Sequence, residues 1–194
     1  RLKNAQELAL YFKLILEKKP RAAADLFFHH PTPIELPLQS HRFLLEPFIE
    51  TDKIYALDTK LHHEKITGWC EMTIGVLETK AKYRAFNPSL TLAAHHILSV
   101  EEKFQGGTGI NITPPPDQIL SEAARKKVQS HACEAAKALG IEGYARLDLF
   151  VECVSGNIRV IEANTLPALT PSTVLYHQAL AESPPIFPHE LLIS

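Results

Sequence analysis

Hydrophobic positions recur along this chain with two different periods, and each change of period marks a change of element. From Asn4, residues Leu8, Tyr11, Phe12, Ile15 and Leu16 recur at steps of three and four, which is one apolar face of a helix. Asn4 is the expected N-cap, Glu7 completes a capping box, and Lys18-Lys19-Pro20 supplies the stop. Residues 20–41 contain Pro31, Pro33 and Pro37, each fixing φ and removing a backbone donor, so an extended connector is expected there. The apolar run in Arg42–Glu50 predicts a strand, and so does the alternation of Trp69–Leu77. The pattern weakens from Lys80 to Leu98. Helical spacing returns with Leu120, Ala124, Val128, Ala132, Ala135, Ala136 and Leu139, in a helix starting near Asp117 or Ser121 and stopped by Gly140.

Two further apolar runs, Tyr144–Val151 and Asn157–Ala163, flank Ser155-Gly156-Asn157, a turn signal of the kind that joins antiparallel strands. Side chains alternate faces along a strand. Arg146 and Asp148 therefore share one face of the first strand, and Glu162 and Asn164 share one face at the end of the second. With the turn near Gly156 the two pairs lie opposite each other, about 5 Å between paired positions. Two carboxylates and a carboxamide are hard oxygen donors that suit magnesium (or manganese). A guanidinium beside them can neutralise charge on a transferring phosphoryl group. The competing reading is an edge hairpin on which Arg146 and Asp148 form a surface ion pair.

Composition narrows the classes. A chain of 194 residues with 45% hydrophobic content can bury a sizeable core. A formal charge of -2 gives no electrostatic footprint for nucleic acid or a membrane, so small-molecule chemistry fits better. Cys70, Cys133 and Cys153 are widely spaced in apolar contexts and read as buried free thiols of a reducing compartment, with a metal site built from them disfavoured. No apolar run approaches twenty residues and the amino terminus opens into a helical pattern without a signal peptide, so a cytoplasmic protein is expected. The adjacent His29 and His30 point apart in extended backbone and make a poor chelate, His95 and His96 read as structural or surface residues, and His62 and His63 lie in Asp52–Gly68, which reads as an insertion.

Ala145-Arg146-Leu147-Asp148, followed fourteen residues after the aspartate by Glu162-Ala163-Asn164-Thr165-Leu166-Pro167, resembles the C-terminal signature of the D-alanine–D-alanine ligases, members of the ATP-grasp superfamily. That signature reads ARxDFF, a hairpin, then NExNTLPGxTPxS. The resemblance covers Leu98 to the end and extends more loosely over Arg1–Leu77. It implies an α+β fold: an ATP-grasp C-terminal domain, an antiparallel sheet with flanking helices, at residues 78–194, preceded by a remnant of the central ATP-grasp subdomain and hinge at 1–77. In the family a helix like the first one follows a glycine- and serine-rich loop that closes over ATP. No such loop is present here, so a fragment of a longer protein is expected, lacking an N-terminal part of the same chain.

The resemblance also implies roles. Asp148, Glu162 and Asn164 would hold magnesium. Arg146 and Lys103 would be catalytic, the lysine also reaching the nucleotide phosphates from Val100–Thr108, which resembles YEAKYxxxxT. Glu46, Pro47 and Ile49 match the strand whose backbone binds the adenine edge, although Pro47 has no N–H to donate. Glu71 matches a glutamate that contacts the ribose. Thr173 falls where the family serine binds the substrate carboxylate, at the start of a helix, and Ala168 falls where a glycine N–H helps hold an oxyanion. Phe104 stands where most relatives have tyrosine, resembling variants that use a hydroxy acid as second substrate. The implied activity is ATP-dependent joining of two D-alanines, or of D-alanine and a D-hydroxy acid, through an acyl phosphate in peptidoglycan precursor synthesis, with small D-amino acids as partners and a homodimer allowed. A different carboxylate–amine ligase of the superfamily, or a nucleotide-binding fragment without turnover, are the alternatives.

Overall fold

A computed structural model describes residues 2–27, 32–36, 44–57, 60–80, 82–92, 110–170 and 173–193. Packing divides the chain into two compact units, 1–48 and 49–194. The boundary expected at 77/78 falls inside a strand that is central to the second unit, which is why packing does not separate the chain there.

In the first unit, helix α1 (Ala5–Leu16) is capped by Asn4, whose Oδ1 accepts the Glu7 N–H at 2.9 Å. The Glu7 carboxylate accepts the Lys3 N–H at 2.6 Å, closing the capping interaction one residue earlier than a capping box does. Leu10, Tyr11, Leu14 and Ile15 pack on a small core of Ala22, Phe27 and Leu36, around the short pair β1 (Arg21–Ala22) and β2 (Ile34–Glu35). Leu16, expected on the apolar face, is 83% exposed because it is the last helical residue, beyond the reach of this core. Residues 44–50 form no strand, and Leu44, Leu45 and Phe48 are exposed. Apolar content alone predicted a strand there, but no partner pairs with the segment among the described residues, and Pro47 removes one ladder donor.

The second unit is built on an antiparallel sheet. Its strands are β5 (Trp69–Thr79), β6 (Lys82–Ala85), β7 (Ser89–Leu92), β8 (Ile110–Ile112), β9 (Tyr144–Glu152) and β10 (Ile158–Asn164), in the order β10-β9-β5-β7-β8, with β6 also on β5. The weak pattern over Lys80–Leu98 therefore conceals two strands, too short to show an alternation. The expected insertion folds as a separate hairpin, β3 (Lys53–Leu57) with β4 (Lys60–Glu64). The turn between β9 and β10 uses Gly156 at φ 73, a conformation that favours glycine; a Cβ there would also lie 2.5 Å from the Ala124 carbonyl.

Helix α2 (Glu122–Ala138), capped by Ser121, lays Ala124, Val128, Ala132 and Ala136 on one sheet face. This stripe of small side chains at steps of four meets Ala145, Leu147, Leu149 and Val151 of β9, all fully buried. Each of the larger aliphatic groups contributes about 1.5–3 kcal/mol by leaving water. Leu139, expected on the buried side, is the C-cap and is 56% exposed. Arg125 is pinned by the Pro115 carbonyl and Asp117. On the opposite face, α3 (Val174–Leu180) and α4 (Pro188–Ile193) form a second core of Phe86, Leu175, Tyr176, Ala179 and Leu191, against Leu77 and Tyr144.

Candidate active site

The alternating burial of β9 turns Tyr144, Arg146, Asp148, Phe150 and Glu152 away from α2. Antiparallel partners point to the same side, so the register lays out this face as rows across β5, β9 and β10. Gly75, Arg146 and Asn164 form one row; Thr73, Asp148 and Glu162 form the next; Glu71, Phe150 and Arg159 form a third. Glu162 thus sits directly across from Asp148, and Asn164 across from Arg146.

A β-bulge makes this possible. The register between β9 and β10 shifts between Val160 and Glu162. In a regular ladder counted from the turn with no bulge, Ile161 would oppose Asp148 and Glu162 would fall on the core face opposite Leu147. Bulges re-aim side chains in this way.

The second core stops at the first of these rows. Gly75 lies under Leu175, Gln178 and Phe86, and any side chain at position 75 would collide with all three. The next row stays partly open: Arg146 is 24% and Asp148 22% exposed, and Glu162 is exposed. The Arg146 guanidinium donates from Nε to Asp148 Oδ1 at 3.1 Å and from Nη2 to Oδ2 at 3.3 Å, a two-point ion pair that fixes both groups. Asn164 Oδ1 accepts the Leu166 N–H at 3.2 Å, which orients its carboxamide at the end of β10. Two carboxylates, a carboxamide oxygen and a fixed guanidinium on one open face are a donor set that fits a hard divalent cation beside an anion.

The other expected positions divide clearly. Glu71 is half-buried on the same face, one row beyond Asp148. Thr173 is half-buried at the N-cap of α3 and makes no side-chain capping bond, while Ala168 is exposed in the segment after β10. Ile49 is half-buried and opens the second unit; Glu46 and Pro47 are exposed and belong to the first. Lys103 and Phe104 lie outside the described residues, as do His29, His30, His95 and His96.

One structural residue of the site escaped the sequence reading. Gln178 is fully buried; its Oε1 accepts the Gly75 N–H at 2.7 Å and its Nε2 donates to the Thr73 carbonyl and to Ser89 Oγ, each at 2.9 Å. It fills the gap on β5 where pairing passes from β7 to β6, and so fastens α3 behind the two site rows. A glutamine in a short amphipathic helix carries no local signal of such a role.

The family model described as D-ala D-ala ligase C-terminus matches residues 44–188. A D-alanine–D-alanine ligase from Leptospira interrogans is 31% identical over 132 residues, covering 66% of this chain and 36% of the relative. One from Leptospira biflexa is 30% identical over 135 residues, covering 67% and 37%. The chain thus spans little more than a third of the length of these relatives. Among solved structures, the D-alanine–D-alanine ligase of Coxiella burnetii matches with a TM-score of 0.48 at 26% identity, covering 69% of this chain and 32% of that one. The VanG D-Ala:D-Ser ligase of Enterococcus faecalis matches with a TM-score of 0.49 at 22% identity, covering 69% and 36%. With a family match over most of its length and a curated relative 30% identical across two thirds of it, this chain belongs to the D-alanine–D-alanine ligase family, of the ATP-grasp superfamily, and corresponds to its C-terminal portion.

Proposed function

We propose that this chain is the catalytic C-terminal portion of an ATP-dependent ligase that joins D-alanine to a second D-alanine or to a D-hydroxy acid, in the cytoplasm, for peptidoglycan precursors. The observation that carries the reading is the row Thr73–Asp148–Glu162 beside Gly75–Arg146–Asn164, on the face that α2 does not cover. Asp148, Glu162 and Asn164 would hold magnesium, which when bound neutralises and orients nucleotide phosphates. Arg146 lies within bonding distance of Asp148, so the same guanidinium that holds the carboxylate in place is available to developing negative charge on a phosphoryl group.

ATP would phosphorylate the carboxylate of the first D-amino acid, giving an acyl phosphate that the amine or hydroxyl of the second molecule attacks. No side chain serves as nucleophile in that scheme; catalysis is positioning and electrostatics. Glu71, on the neighbouring row, suits the ribose, and the backbone around Glu46, Pro47 and Ile49 the adenine edge. Lys103 is assigned to the phosphates and Phe104 to the second-substrate side by resemblance. Thr173 and the Ala168 N–H are assigned to the substrate carboxylate and the oxyanion on the same ground.

Two measurements on the protein test this reading: calorimetry with magnesium and ATP, then phosphate release on adding D-alanine. The reading predicts magnesium-dependent ATP binding followed by D-alanine-stimulated release. Binding without release would favour a nucleotide-binding module, and release with other carboxylic acids only would favour a different ligase of the superfamily.

A further inference from the structure

On the face of the sheet opposite the Arg146–Asp148 pair, four chain segments bring together donors that the ligase chemistry does not use. Asp52 precedes β3, His63 lies on β4, Cys70 on β5 and Cys153 just after β9. The alternation of β4 turns His63 inward on the side of Leu61, which packs on the main core. Cys70 and Cys153 are members of that core, and Asp52 is buried with them. One donor atom each from Asp52, His63 and Cys70 lies within 4.8 Å of the others, and Cys153 Sγ stands 3.0 Å from Cys70 Sγ.

The carboxylate is held as a metal ligand is held. Asp52 Oδ1 accepts the backbone N–H groups of Ile66, Thr67 and Gly68 at 2.8, 2.9 and 2.8 Å. That leaves Oδ2 facing His63 Nε2, at 2.8 Å. Backbone donors that orient one carboxylate oxygen while the other turns toward an imidazole and a thiol are the outer support that metal sites need.

We propose that Asp52, His63, Cys70 and Cys153 form a structural zinc site that staples the β3–β4 hairpin to the β5–β9 end of the main sheet. One oxygen, one imidazole nitrogen and two thiolates are a donor set for zinc, whose structural sites are four-coordinate and tetrahedral. In such a site neighbouring donor atoms lie roughly 3.3–3.8 Å apart, given zinc–ligand bonds of about 2.0–2.3 Å. Asp52 Oδ2 and His63 Nε2, 2.8 Å apart, and the two sulfurs, 3.0 Å apart, each need to separate slightly, and Cys153, which lies outside the group of three within 4.8 Å, joins it through Cys70. The distribution of ligands over four segments explains how so few apolar groups on β3 and β4, chiefly Ile54 and Leu61, can fix this hairpin.

The test is zinc content by elemental analysis after gel filtration in metal-free, reducing buffer, with cobalt as a spectroscopic probe. The proposal predicts one zinc per chain and, in the cobalt form, a thiolate-to-cobalt charge-transfer band with intense tetrahedral d–d absorption. Cys70→Ser and His63→Gln should each weaken zinc binding at least about tenfold, and chelator should lower the melting temperature of wild type but not of His63→Gln. His63 is half-buried at the rim of the cluster, so this variant keeps the test valid if Cys70→Ser does not fold. Asp148→Asn, on the other face, should leave zinc content unchanged, which separates this site from the ligase assignment. Less than a tenth of an equivalent of zinc in wild type, or wild-type affinity in His63→Gln, would overturn the proposal. A mass two hydrogens lower with no zinc, marking a Cys70–Cys153 disulfide that persists in reductant, would overturn it as well.

Discussion

At the scale of single residues, the site depends on groups held by more than one bond. Arg146 grips Asp148 at two points, and Asn164 is oriented by its own downstream backbone. Behind them Gln178 bonds the Gly75 N–H and the Thr73 carbonyl of β5. Gln178→Leu keeps the volume but removes the acceptor of the Gly75 N–H, a loss of about 1–3 kcal/mol for a buried donor left unpaired. Urea denaturation should register that loss, whereas unchanged stability would mean that water replaces the amide. Strand alternation led the sequence reading to face Asp148 with Glu162, and the structure reaches that facing only through a bulge that alternation does not show. Gln178 was not legible in the sequence, because its partners lie about a hundred residues away in the chain. Leu16 and Leu139 fit the helical period yet face solvent, since periodicity marks a face of a helix and not where the neighbouring element ends.

At the scale of elements, the second strand of the hairpin contains the decisive irregularity. Ile161 is the extra residue of the bulge, and it is 41% exposed. Removing it would leave a regular ladder in which Glu162 still opposes Asp148. Removing Ala163 instead would turn Asn164 to the core face opposite Leu147. Calorimetry with magnesium-ATP should therefore find binding retained when Ile161 is deleted and lost when Ala163 is deleted. Equal behaviour of the two deletions would contradict the register argument. Period-two counting finds the two strands and the turn at Gly156, but it cannot locate a bulge, because the extra residue leaves the apolar composition of Val160-Ile161 unremarkable. The same limit hid β6 and β7, four residues each, and it read a strand into residues 44–50, which no strand pairs with among the described residues.

At the scale of the molecule, α2 packs on one face of the sheet and α3 and α4 on one end of the other, and among the described residues the part that carries Arg146, Asp148 and Glu162 stays open. The antiparallel hairpin was readable from period and turn chemistry, and the α+β class was implied by the family resemblance. The strand order β10-β9-β5-β7-β8 was not, because it brings residues 69–79 against 144–152 across a helix and several turns. None of the described helices is long and apolar enough to cross a membrane. The account as a whole rests on one cation held between β9 and β10. Electron paramagnetic resonance of manganese titrated into the protein with ATP reads that cation directly, since the free ion gives a signal that binding removes. The account predicts loss of the free-manganese signal beyond that caused by ATP alone, at one ion or more per wild-type chain, and no such extra loss in Asp148→Asn; equal extra loss in both proteins would contradict it.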